Sequence, residues 1–350
     1  MVRRPLATLG QRKSLGDFMR ACFRGLAAGL LLTVATSSAY AQTQAPACGD
    51  LRKLTALDMK NLADGRITLG VTIVDRPSQL MFDTTGDFRG LTPETATALG
   101  AKPVKGGDLV KDIPGHETAE NVLLPSVTLG GVKIPEAAFL VLSRKEMRLP
   151  DGANVDGRFT LDTLLSLGLD FDLDFAANQM GLFLQDHCEG KVVYWPSTAL
   201  SILPFAFDTA FRINIPVKLD GQVVTAVLDT SVTDNTLDLD VAKDIGLTLA
   251  LDGMKKVGTD SSTGKDVYEQ PFKMLSFDDV GFSNPQIKLL RSKSRKPGLP
   301  PLTGAPLVIG INSIKKLHIF FAVREQRLYI TPGGVAAAAA PAPATAPAKQ

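Results

Sequence analysis

The chain has 350 residues, 45% of them hydrophobic and 21% charged, with 38 Lys and Arg against 36 Asp and Glu. That length holds two modest domains, and the near balance of charge gives no basic surface that would call for nucleic acid or an anionic membrane as partner. No CxxC pair is present and the histidines, His116, His187 and His318, are scattered, so neither a metal nor another cofactor is expected.

In chain order, the first feature is a leader. Arg20 and Arg24 precede an apolar run over residues 25–35, which ends in small residues and Ala39-Tyr40-Ala41. A basic region, a short apolar core and an A-x-A site predict that residues 1–41 are a secretory signal peptide. The run is too short to anchor the chain stably in a bilayer, and Met19 stands where a signal of ordinary length would begin. Cys22 has no lipobox before it, so no lipid anchor is expected. The mature protein is therefore expected to be periplasmic or secreted. Taking six basic residues and one acid away from 38 and 36 leaves 32 and 35, a net charge of −3.

A short N-terminal segment, 42–60, follows. It contains Cys48, and Cys188 lies beyond the next long block. In an exported chain such a pair predicts a disulfide, here closing the span that holds the first of two repeats. The repeat is visible without any other sequence. Shifted by 146 residues, 66–100 lies over 212–246 with no gap, matching Arg66/Arg212, Val71/Val217, Asp83/Asp229, Thr84/Thr230, Leu91/Leu237 and Gly100/Gly246.

Both copies predict the same elements. Ile67, Leu69, Val71 and Ile73 alternate with polar or small residues, as do Ile213, Ile215, Val217 and Leu219, the period of a half-buried strand. Asp75-Arg76-Pro77 and Asp220-Gly221 mark hairpin turns. Leu80-Met81-Phe82 and Ala226-Val227-Leu228 then run into Asp-Thr, and short helices over 93–99 and 239–245 stop at glycine. Matched strands follow at 127–129 and 275–277, and each copy closes on a strand, 181–184 and 327–330. The class is all-β with short helices. The domains read as lobe one at 61–186, a linker at 187–209, lobe two at 210–332 and an Ala/Pro-rich disordered tail at 333–350.

A hairpin, two apolar residues and Asp-Thr, then a short helix ending in Leu-Gly, resembles the retropepsin-like aspartic peptidases. The likeness covers about residues 60–332 and includes Val308-Ile309-Gly310, which is similar to the family segment that packs beneath the active-site loop. The resemblance implies two tandem acid-protease lobes related by a pseudo-two-fold axis, a pepsin-like bilobal arrangement in one monomer. It implies Asp83 and Asp229 as catalytic residues acting on a peptide or protein, with Thr84 and Thr230 bracing the two loops. A water held between an ionised and a protonated carboxylate carries that chemistry.

The motif departs from the family's Asp-Thr-Gly at its third position, which is Thr85 in one copy and Ser231 in the other. Glycine belongs where backbone passes close to other groups, so a Cβ there is expected to crowd the carboxylates. Gly310 has Thr160 opposite it in the first copy, with Gly157 out of register. Two functions remain open on these residues: an exported aspartic-type endopeptidase, or an inactive homologue that binds peptide or a partner protein in the same cleft. A third reading treats both Asp-Thr pairs as ordinary turn residues. Substrate-covering hairpins are expected near 258–268 and, in lobe one, 111–120.

Overall fold

The computed structural model describes residues 48–85, 88–104, 120–251, 253–260, 263–292 and 304–333. The expected signal peptide, the hairpin at 111–120 and the tail beyond 333 lie outside them. The described residues pack as one unit, and among them no helix is long and apolar enough to cross a membrane.

Each repeat begins with the hairpin its pattern predicts. Ile67–Ile73 pairs antiparallel with Arg76–Asp83, and Ile213–Leu219 with Gln222–Asp229. Ile67, Leu69, Val71 and Ile73 are buried, as are Ile213, Ile215, Val217 and Leu219. Period-two patterning thus selects the core face. Both turns use two consecutive positive-φ residues, Val74 and Asp75 in one copy and Asp220 and Gly221 in the other. That is the turn hand which matches strand twist.

The second strand of each hairpin is then sandwiched. Arg76–Asp83 runs parallel to Gly157–Thr160, with Asp83 opposite Thr160. Gln222–Asp229 runs parallel to Leu307–Gly310, with Asp229 opposite Gly310. The strand after each Asp-Thr loop, Gly90–Leu91 or Asn235–Asp238, returns antiparallel on the far side of the same partner. The helices Pro93–Ala98 and Leu239–Asp244 follow, capped by the side chains of Thr92 and Asp238 at equivalent positions.

Gly310 is required by this weave. A Cβ on it would lie 2.6 Å from the Asp234 carbonyl oxygen and 2.8 Å from that of Thr233. In lobe one the tight crossing has moved three residues upstream. A Cβ on Gly157 would meet the Gly90 carbonyl oxygen at 2.1 Å, and buried Thr160 fits where Gly310 sits in lobe two.

The lobes share a six-stranded antiparallel sheet in the order Ser201–Pro204, Arg327–Pro332, Leu317–Ala322, Leu169–Asp174, Gln179–Leu184, Lys53–Asn61. Its two central strands come from different lobes and pair directly, with Phe171 opposite Phe321. Those two rings stack at 4.2 Å, and Phe171 also meets Phe82, next to Asp83, at 6.1 Å. The outer strands lie almost wholly in 42–60 and 187–209, the segments read as an N-terminal stretch and a linker, with Asn61 just beyond the first. Lys53–Asn61 also continues onto Ile67–Ile73, which joins this sheet to lobe one. Cys48 and Cys188 are bonded, closing a separation of 140 residues. The architecture is all-β and two-lobed, as the sequence predicts, with short helices only.

Candidate active site

The two Asp-Thr loops meet. Thr84 Oγ1 donates to the Leu228 carbonyl at 2.7 Å and accepts from the Thr230 N–H at 3.1 Å. Thr230 Oγ1 donates to the Phe82 carbonyl at 2.7 Å and accepts from the Thr84 N–H at 3.1 Å. This reciprocal brace is fully buried. Its four bonds satisfy backbone groups that water cannot reach.

Asp83 and Asp229 follow strands of equal role and are 2% and 8% exposed. The third motif residue acts alike in both loops. The Thr85 N–H donates to Asp83 Oδ1 at 2.7 Å, and its hydroxyl to the same oxygen at 3.0 Å. Ser231 repeats this on Asp229 Oδ1 at 2.8 and 2.7 Å. Neither residue has positive φ, so a side chain costs no backbone strain at these positions. The expected crowding takes a different form: each Cβ carries a hydroxyl that bonds to the carboxylate beside it.

Asp229 is pushed above its ordinary range, first by burial and then by the negative charge of Asp83. Bonds from Ser231, and the Thr85 hydroxyl reaching across from the other loop, oppose that rise.

Two arginines at the site carry no local sequence signal. Arg158 lies on Gly157–Thr160, and its Nη1 is 3.3 Å from Asp83 Oδ2, with both side chains buried. Its guanidinium also stacks 4.8 Å from the centre of the Phe88 ring. Arg66 binds Asp64 and reaches across the lobe boundary to the Ser231 carbonyl at 3.1 Å. Its repeat partner Arg212 binds Asp208 in the same manner but stays half exposed. The Arg66/Arg212 match in the repeat gave no sign of the cross-lobe bond.

Two of the histidines that look scattered in sequence, His187 and His318, lie against the shared sheet, and His116 is outside the described residues. His187 Nε2 lies 2.7 Å from Asp170, and His318 Nε2 2.9 Å from Asp172, two residues along one strand. Burial pushes Asp170 up, against the lowering bonds from His187 and the Val323 N–H. Among the described residues no group of three or more His, Cys, Asp or Glu is arranged to hold a metal ion. Around 258–268 the strands Lys255–Thr259 and Asp266–Glu269 form a hairpin, and Asp266–Glu269 pairs with Ile287–Arg291.

The fold and the joined loops define the class: a two-lobed, all-β protein in which two repeated Asp-Thr loops meet and brace each other. No protein-family model matches the sequence, and no curated protein does. Among solved structures the chain is similar to conglutin gamma, a basic 7S globulin from lupine seeds, with 12% identity and a TM-score of 0.45 over 81% of this chain and 95% of that one. It is similar also to basic 7S globulin from soybean, with 10% identity and a TM-score of 0.44 over the same shares.

Proposed function

We propose that the protein is an exported, retropepsin-like aspartic-type endopeptidase that hydrolyses a peptide or protein substrate with one water activated between Asp83 and Asp229. The observation that carries this reading is the Thr84–Thr230 brace, which holds two buried carboxylates close enough for the charge of one to raise the other. In the step proposed, one carboxylate takes a proton from the water as its oxygen attacks the scissile carbonyl. The other gives its proton to the carbonyl oxygen. The resulting diol collapses as the amine leaves with the first proton and the second carboxylate recovers its own. Because both aspartates come from one chain, a monomer suffices. The disulfide and the basic-then-apolar leader support an oxidising compartment outside the cytoplasm.

A second reading, an inactive homologue binding a peptide or partner protein in the same cleft, is favoured by the groups crowding Asp83. Thr85 occupies Asp83 Oδ1 through two bonds, Arg158 lies on Oδ2, and the Thr85 hydroxyl acts on Asp229 as well. That hydroxyl competes for the place of the water. The deciding experiment incubates the purified mature chain with unfolded protein substrates from pH 3 to 7. Weak, acid-favoured cleavage abolished by Asp229→Asn and raised by Thr85→Gly with Ser231→Gly supports hydrolysis. No cleavage before or after both glycine restorations leaves the binding reading in its place.

A further inference from the structure

The repeat supplies two nearly identical Asp-Thr loops, but among the described residues a guanidinium pairs with only one of the two aspartates. Arg158 faces Met81 across the parallel pair, two residues before Asp83. The residue at the same register in lobe two, facing Val227, is Val308. A strand presents alternate residues to one face, so a cation at 158 stands in line with Thr160, opposite Asp83. The guanidinium is also held by the Phe88 ring and by a 3.4 Å bond from Nη2 to the Phe88 carbonyl. A second cation at the lobe boundary, Arg66, is paired with Asp64 at 2.7 Å and reaches the Asp229 loop through the Ser231 carbonyl. Among the described residues no ion pair reaches Asp229.

We propose that Arg158 is a positioning residue that breaks the symmetry of the aspartate pair, holding the negative charge on Asp83 and leaving the shared proton on Asp229. Resting on the hydrolytic reading, this assigns Asp83 to accept the water proton and Asp229 to donate to the scissile carbonyl oxygen. It explains how a duplicated motif, symmetric in its loops, supplies two unlike groups. Among the described residues, the charged and titratable groups facing the pair are Asp83, Asp229, Arg158 and, beyond Ser231, Arg66 with Asp64.

The test does not depend on turnover. Carboxyl-13C-labelled aspartate in the full chain, assigned with Asp83→Asn and Asp229→Asn, reports the titration of the pair by NMR. Removing the cation with Arg158→Met is expected to move the pair's apparent values upward by about one to three pH units and to narrow the gap between the two sites. Arg158→Lys, which keeps a charge without the planar fork, is expected to fall between. Unchanged near-ultraviolet circular dichroism establishes that the variants remain folded, and the neutral Arg158→Gln carries the test if Met does not fold. A pair whose titration stays within about 0.3 units in folded Arg158→Met or Arg158→Gln protein, well under the shift a neighbouring cation causes, overturns the proposal. If the wild type also cleaves peptide, the alkaline limb of its pH profile is expected to move with the NMR values. Absence of cleavage with the shift intact rejects the hydrolytic reading and leaves the charge assignment standing.

Discussion

Thr84→Val tests whether the brace holds the two lobes together. Valine keeps the shape and removes the hydroxyl, so it loses the 2.7 Å donation to the Leu228 carbonyl and the 3.1 Å acceptance from the Thr230 N–H. Leu228 and Thr230 are buried, at 1% and 0% exposure, so water cannot replace either bond. Each orphaned group costs about 1–3 kcal/mol, giving an expected loss of about 2–6 kcal/mol, a large share of the ~5–15 kcal/mol typical of a folded protein. Thr230→Val is expected to cost the same for the same reason. Because the four bonds form one network, the double variant is expected to lose less than the sum, by about 0.5 kcal/mol or more. Thr84→Ser, which retains the hydroxyl, is expected to keep most of the stability. Urea unfolding of the purified mature chain measures all four. A Thr84→Val loss below about 0.5 kcal/mol, the level of an ordinary surface change, would refute the brace.

Three further outcomes are expected. Reduction of Cys48–Cys188, which closes 140 residues, is expected to lower stability by up to about 5 kcal/mol on the chain-entropy view; equal urea midpoints with and without reductant would reject that contribution. Asp229 and Asp170 are raised mainly by burial, so the stability they contribute is full below the ordinary carboxylate value of 3.8 and is lost as pH rises through their raised values. Asp229→Asn is therefore expected to be more stable than wild type at pH 7, the gain fading toward pH 3.8, and a less stable variant at pH 7 would contradict the sign. Gly310→Ala is expected to destabilise by about 1–3 kcal/mol or more, since its Cβ would meet backbone carbonyls at 2.6 and 2.8 Å; unfolding no easier than wild type would show that the crossing can open.

Much of this protein is written locally. Alternation at Ile67–Ile73 and Ile213–Leu219, the two turns and the ungapped repeat predict all-β lobes, because a strand's buried face follows from a two-residue period in any context. The Asp-Thr pairs and Cys48 with Cys188 are legible for a similar reason: their chemistry is carried by residue type and by place within the repeat. The effect of the third motif position was not legible. Glycine's absence from Thr85 and Ser231 predicts crowding, whereas only packed coordinates show each hydroxyl turning onto the carboxylate it follows.

What tertiary structure alone decided lies in partners far apart in the chain. Arg158 sits among ordinary strand residues until parallel pairing sets Thr160 opposite Asp83 and carries position 158 to the carboxylate. Arg66 finds the Ser231 carbonyl 165 residues away. His187 and His318 become neighbours of Asp170 and Asp172 because the closing hairpins of both lobes join in one sheet. That same joining turns Lys53–Asn61 and Ser201–Pro204 into outer strands. Local sequence constrains which face a residue takes, but not which distant strand lies against that face. Register between remote strands is set by packing and hydrogen bonding over the whole molecule, and the charge balance around Asp83 and Asp229 exists only after that register is made.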